Sequence, residues 1–103
     1  IVASVLSIFV KKDDFAVSTH RSHAHYLAKQ GSLRKMIAEI YGKRTGCSMG
    51  KGGSMHLIDK NVNFMGSTSI VGNSIPIGTG LGFSLKLKKK KEYIDYIFRR
   101  RCY

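Results

Sequence analysis

A chain of 103 residues and 11.5 kDa has room for one small core and not for two domains. Hydrophobic content of 43% and charged content of 23% exclude wholesale disorder and a fibrous repeat. The net charge of +12 suggests a polyanionic partner, yet Lys86 to Tyr103 holds eight basic residues and two acids, so half of the excess lies in the last sixth of the chain. A nucleic-acid domain spreads cations over a face and interleaves them with aromatics. This distribution reads as a tail, and a small basic nucleic-acid-binding protein stands as the alternative rather than the first reading.

The apolar run from Ile1 to Val10 is broken by Ser4 and Ser7 and falls short of the roughly 18 residues of a membrane span. It also lacks the charged leader of a signal peptide, so no membrane partner is expected. A charged turn, Lys11 to Asp14, precedes a short extended segment at Ala16 to Thr19. His20, His23 and His25 then cluster around Arg21. Imidazoles suit transition metals, but no nearby Cys or Glu completes a shell and Arg21 would repel a dication, so a polar site or surface is expected. Ser18 and Ser22 lie close by without the third orienting group of a nucleophilic triad.

The clearest helix follows. Ser32 can cap it, Leu33, Met36, Ile37, Ile40 and Tyr41 keep the spacing of one buried stripe, and Gly42 can end it in the left-handed conformation. Ten of the eleven glycines then fall between Gly42 and Gly82, which predicts backbone that turns tightly or approaches something closely. Neither phosphate motif fits: Thr45 stands where a P-loop needs its first glycine, and Met55 and Phe83 stand where the dinucleotide fingerprint needs its third. A second helix is expected from Ser74, with Pro76 in its first turn and Gly78, Gly80 and Gly82 packing closely on another element. Cys47 and Cys102 form no metal or disulfide pattern, which makes a reducing cytoplasm the expected compartment.

Ser18-Thr-His-Arg-Ser-His-Ala-His-Tyr26, Gly46-Cys-Ser48, Gly50-Lys-Gly-Gly-Ser-Met-His56 and Gly66-Ser-Thr-Ser-Ile-Val-Gly72 before Ile75-Pro76 come in a telling order. Together they resemble the alpha subunit of thiamine-diphosphate-dependent 2-oxo acid dehydrogenases of the pyruvate, branched-chain and acetoin type. The resemblance runs from about Lys11 to Glu92. It implies an α/β fold, part of a doubly wound thiamine-diphosphate-binding domain with a parallel sheet, incomplete in this chain. It implies oxidative decarboxylation of a 2-oxo acid, a beta subunit that completes the site, and a lipoyl-bearing acyltransferase that takes the acyl group. Thiamine diphosphate and Mg2+ are the implied cofactors. His20 and Arg21 would contact the cofactor, Arg21 at its diphosphate, where a guanidinium fork matches phosphate oxygens. Backbone groups of Ser69 and Val71 would hold the aminopyrimidine. His20 replaces the family's commoner tyrosine, Ser69 a frequent glycine, and Met49 an expected lysine. The loop from Gly50 to His56 would be structural, at a subunit junction.

The family's magnesium motif, Gly-Asp-Gly after a buried strand, is expected just past Glu92 and is absent from the sequence. One permitted coding of Tyr93 to Tyr103, read one nucleotide out of register, gives Ile-Ser-Ile-Ile-Phe-Phe-Gly-Asp-Gly-Ala. Residues 1–92 are therefore expected to be the N-terminal part of the cofactor-binding domain, and residues 93–103 an out-of-frame tail. A chain so interrupted is expected to be inactive on its own.

Overall fold

The computed structural model describes residues 2–88 and 94–96. Phe15, Val17 and Thr19 are aromatic or β-branched, and Phe15–Thr19 forms strand β1. Ala16 to Thr19 are all buried, as in a central strand covered on both faces. Strand β2 (Phe64–Thr68) pairs with β1 in parallel on one side, and strand β3 (Ile94–Tyr96) pairs in parallel on the other. Ala16 faces Phe64, and after a register shift Val17 faces Gly66, Ser18 faces Ser67 and Thr19 faces Thr68. The α/β class and parallel sheet expected from the sequence are what the chain forms.

Helix α1 (Val2–Phe9) packs on α2 (His23–Ala28), and α3 (Leu33–Ile40) completes the crossover from β1 toward β2. Helix α4 (Ser74–Leu87) joins β2 to β3 and packs on β1 and β3. Among the described residues no helix is long and apolar enough to cross a membrane. Of the tail, only β3 lies within the described residues; residues 97–103 lie outside them.

Both ends of α3 follow its sequence signals. Ser32 Oγ accepts the Lys35 N–H at 3.5 Å, and Gly42 takes φ +67°. Because that cap bond is long, Ser32→Ala is expected to cost about 0.5 kcal/mol, the low end for such caps, as read from urea unfolding.

The face of α3 departs from expectation. Met36 is buried, but Leu33, Ile37, Ile40 and Tyr41 are exposed, Tyr41 to 75%. Met36 and Glu39 point inward instead, and Glu39 is fully buried. The carboxylate finds donors inside, so the helix rotates its charged residue in and its apolar stripe out. A second correction concerns α4. Gly78 is buried with Ser74 and Leu85, but Gly80 opens on space, and a Cβ there would meet nothing within 4 Å.

The core joins Ala16, Tyr26, Met36, Leu57 and Phe64. Tyr26 stands edge-on to Phe64 with ring centroids 5.5 Å apart, and its hydroxyl donates to Asp59 Oδ2 at 2.9 Å. Burial, then Asp59, pushes the Tyr26 phenol well above its ordinary range.

Candidate functional site

The neighbouring strands β1 and β2 end level with each other, at Thr19 and Thr68. Each threonine hydroxyl accepts the N–H two residues on: Thr19 Oγ1 from Arg21 at 3.4 Å, Thr68 Oγ1 from Ile70 at 3.2 Å. Such local bonds give the backbone an alternative to the ladder, so both strands break off at the same level. The His20–Arg21 and Ser69–Val71 turns thus leave neighbouring strand ends on the carboxyl edge of the sheet. Open parallel sheets bind ligands at that edge. Arg21, Ser69 and Val71 are exposed there and His20 is half-buried. Gly72, at φ +86°, turns the second segment toward α4.

Polar atoms lie unsatisfied in and beside the first turn. Ser18 and Ser22 are fully buried, and the Oγ atoms of both, with His20 Nδ1, have no hydrogen-bond partner. Buried polar atoms are usually paired, and an orphaned group asks for a partner from outside the chain. The three histidines do not converge. His25 packs edge-on against Phe64 at 5.4 Å, and His23 Nε2 lies 2.9 Å from Ser54 Oγ and 3.1 Å from the Ser54 carbonyl oxygen. No group of three His, Cys, Asp or Glu side chains that could hold a metal occurs among the described residues.

The segment from Gly46 to Gly53 is organised by one residue the sequence reading passed over. Glu39 Oε2 accepts from the N–H groups of Ser48 and Gly50, each at 2.8 Å. Its Oε1 accepts from Gly52 at 2.7 Å and Gly53 at 3.3 Å. Burial raises the carboxyl's pKa, but the backbone donors outweigh it and hold Glu39 below the ordinary carboxylate range. Close approach explains the glycines: a Cβ on Gly46 would sit 2.3 Å from Glu39 Oε2, and one on Gly52 would sit 2.1 Å from the His56 carbonyl oxygen. The available signal was an acid three residues after Met36, followed by a glycine cluster. Within the same segment, burial pushes the half-buried Cys47 thiol upward.

Comparison with known proteins shows what the chain is similar to. The family model described as "Dehydrogenase E1 component" matches residues 2–98. The chain is 41% identical over 90 residues to the mitochondrial pyruvate dehydrogenase E1 component subunit alpha-1 of Oryza sativa subsp. japonica, covering 87% of this chain and 23% of that protein. It is 45% identical over 85 residues to the pyruvate dehydrogenase E1 component subunit alpha of Rickettsia typhi, covering 82% of this chain and 26% of that protein. It is 44% identical over 79 residues to the chloroplastic subunit alpha-3 of Arabidopsis thaliana, covering 77% of this chain and 18% of that protein. The chain spans about a quarter or less of the length of these relatives.

Proposed function

The chain belongs to the dehydrogenase E1 component family, and from that premise we propose that it forms part of the thiamine-diphosphate site of a pyruvate-type 2-oxo acid dehydrogenase alpha subunit. The observation that supports the reading is that the His20–Arg21 turn leaves β1 level with the end of β2, next in the chain to buried hydroxyls at Ser18 and Ser22 that have no partner. These residues fit a diphosphate ester: a planar cation with fork geometry, and orphaned polar atoms at Ser18, His20 and Ser22. Arg21 would neutralise the diphosphate, His20 would add a contact, and backbone groups of Ser69 and Val71 would orient the aminopyrimidine. When bound, thiamine diphosphate supplies the electron sink for loss of carbon dioxide from a 2-oxo acid. The chain's own part is binding, orientation and charge.

Magnesium does not fit the residues at hand. A hard cation wants carboxylate and amide oxygens, and the sequence lacks the Gly-Asp-Gly that would supply them. We therefore assign this chain no metal-dependent step, and expect no turnover even beside a beta subunit. A beta subunit and a lipoyl-bearing acyltransferase are the partners proposed for the whole protein, with the cytoplasm as compartment. Residues 93–103 are proposed to be out of frame. Strand β3 carries Asp95 between Ile94 and Tyr96, and the neighbouring frame reads Ser-Ile-Ile at the same positions, so its pairing with β1 does not distinguish the two readings. Reading the DNA across codons 92–103 decides it: a sequence unable to give Gly-Asp-Gly in the neighbouring frame ends the idea.

Binding of thiamine diphosphate to the 103-residue chain, measured by titration calorimetry, tests the site. Arg21→Ala is expected to weaken it by about 10- to 100-fold, the worth of a hydrogen bond to a charged group. Equal affinity of the variant and the parent chain would remove Arg21 from the site.

A further inference from the structure

We propose that Glu39 is a positioning residue for the sheet-edge site, acting through the glycine loop as an internal anion that the loop's amides enclose; the link to the site rests on reading that edge as the cofactor site. Four N–H groups, from Ser48, Gly50, Gly52 and Gly53, converge on one fully buried carboxylate. Converging backbone amides of this kind form anion-binding concavities. Here helix α3 fills the concavity from within the chain.

The loop so held reaches both halves of the edge. Ser54, the next residue after Gly53, meets His23 Nε2 through its hydroxyl and its carbonyl, and His23 opens α2 two residues after Arg21. Farther along, Ser67 Oγ donates to the Met55 carbonyl at 3.0 Å and accepts the Leu57 N–H at 2.7 Å. Ser67 lies in β2 opposite Ser18, two residues before Ser69. The two limbs of the loop are tied by Ser48, whose hydroxyl donates to the Ile58 carbonyl at 3.2 Å and accepts the Ile58 N–H at 3.1 Å. One carboxylate thus anchors a strap from the Arg21 turn to the Ser69 turn. Removing it frees four amides at once and slackens both ties.

Amide hydrogen exchange of the 103-residue chain, followed by NMR, reads the loop directly. In Glu39→Gln, exchange at Ser48, Gly50, Gly52 and Gly53 is expected to speed by about 10- to 100-fold while the β1 amides stay protected. The His23 ring resonances are expected to move, which a loss of stability spread evenly over the chain would not produce selectively. Glu39→Gly is the second variant: sodium formate, titrated in, is expected to restore loop protection by occupying the vacated amides, and sodium chloride at equal ionic strength is not. Unchanged loop exchange in Glu39→Gln, or formate no better than chloride in a Glu39→Gly chain whose β1 amides remain protected, overturns the proposal. Thiamine diphosphate affinity separates it from the functional reading. Weaker binding in Glu39→Gln alongside faster loop exchange supports positioning, and parental affinity with a slack loop overturns it. Faster loop exchange in a protein whose parent chain binds no thiamine diphosphate leaves Glu39 organising the loop and ends the cofactor reading instead.

Discussion

Phe64→Ala is expected to cost about 3–5 kcal/mol, the scale for truncating a fully buried aromatic side chain. Phe64 is fully buried at the start of β2, opposite Ala16. Its ring meets His25 at 81° and Tyr26 at 88°, both edge-on. Two such aromatic pairs add roughly 0.5–1.5 kcal/mol each beyond area burial. The truncation also opens a cavity where α2, the loop residue Leu57 and the sheet meet. Against a typical domain stability of about 5–15 kcal/mol, the loss leaves a small margin or none. Urea unfolding followed by circular dichroism checks it: the midpoint should fall steeply with little change in slope. Phe64→Leu, which keeps an apolar filler but loses both ring contacts, should lose about 1–3 kcal/mol. An alanine variant within about 1 kcal/mol of the parent would mean that Phe64 does not hold β2 to the helices.

What could be read from the sequence was local. Ser32 and Gly42 bound α3 because a cap and a left-handed stop act within one turn of the helix. Its inward face was not legible. The donors that make burial of Glu39 favourable come from residues 48–53, and no helical periodicity reports a partner beyond the helix end. A stripe of apolar residues was therefore assigned inward, when Leu33, Ile37, Ile40 and Tyr41 face out. The glycine cluster announced close approach without saying to what. The structure supplies the objects: Glu39 for Gly46, the Gly42 carbonyl for Gly50 and the His56 carbonyl for Gly52. The sheet edge behaves likewise. His20, Arg21, Ser69 and Val71 were joined in the sequence only by an ordered set of motifs. Their adjacency comes from parallel pairing of Thr19 with Thr68, a non-local fact that spacing alone does not contain. The sequence shows Ser18 and Ser22 as hydroxyls near histidines, while their lack of partners is visible only once the turn is folded.

Glu39→Ala is expected to be nearly as costly as the core truncation, and its pH dependence identifies the cause. Stripping the carboxylate from four buried or half-buried amides should cost about 3–5 kcal/mol, the usual scale for removing one partner of a buried charged interaction. In the parent chain the folded carboxyl sits below its ordinary value of 4.5, although burial alone would raise it. The unfolded chain therefore binds this proton more readily than the folded one. The resulting stabilisation is fully present above the ordinary carboxylate pKa and is lost as pH falls through the lowered folded value. Thermal unfolding of the parent chain between about pH 7 and pH 3 should accordingly show a steep acid limb beginning below about pH 5. Glu39→Gln preserves side-chain volume and one carbonyl acceptor but carries no titrating proton, so its acid limb should be visibly flatter even though it starts from a lower melting temperature. Parallel acid limbs in the two chains would remove Glu39 as the source of the acid sensitivity.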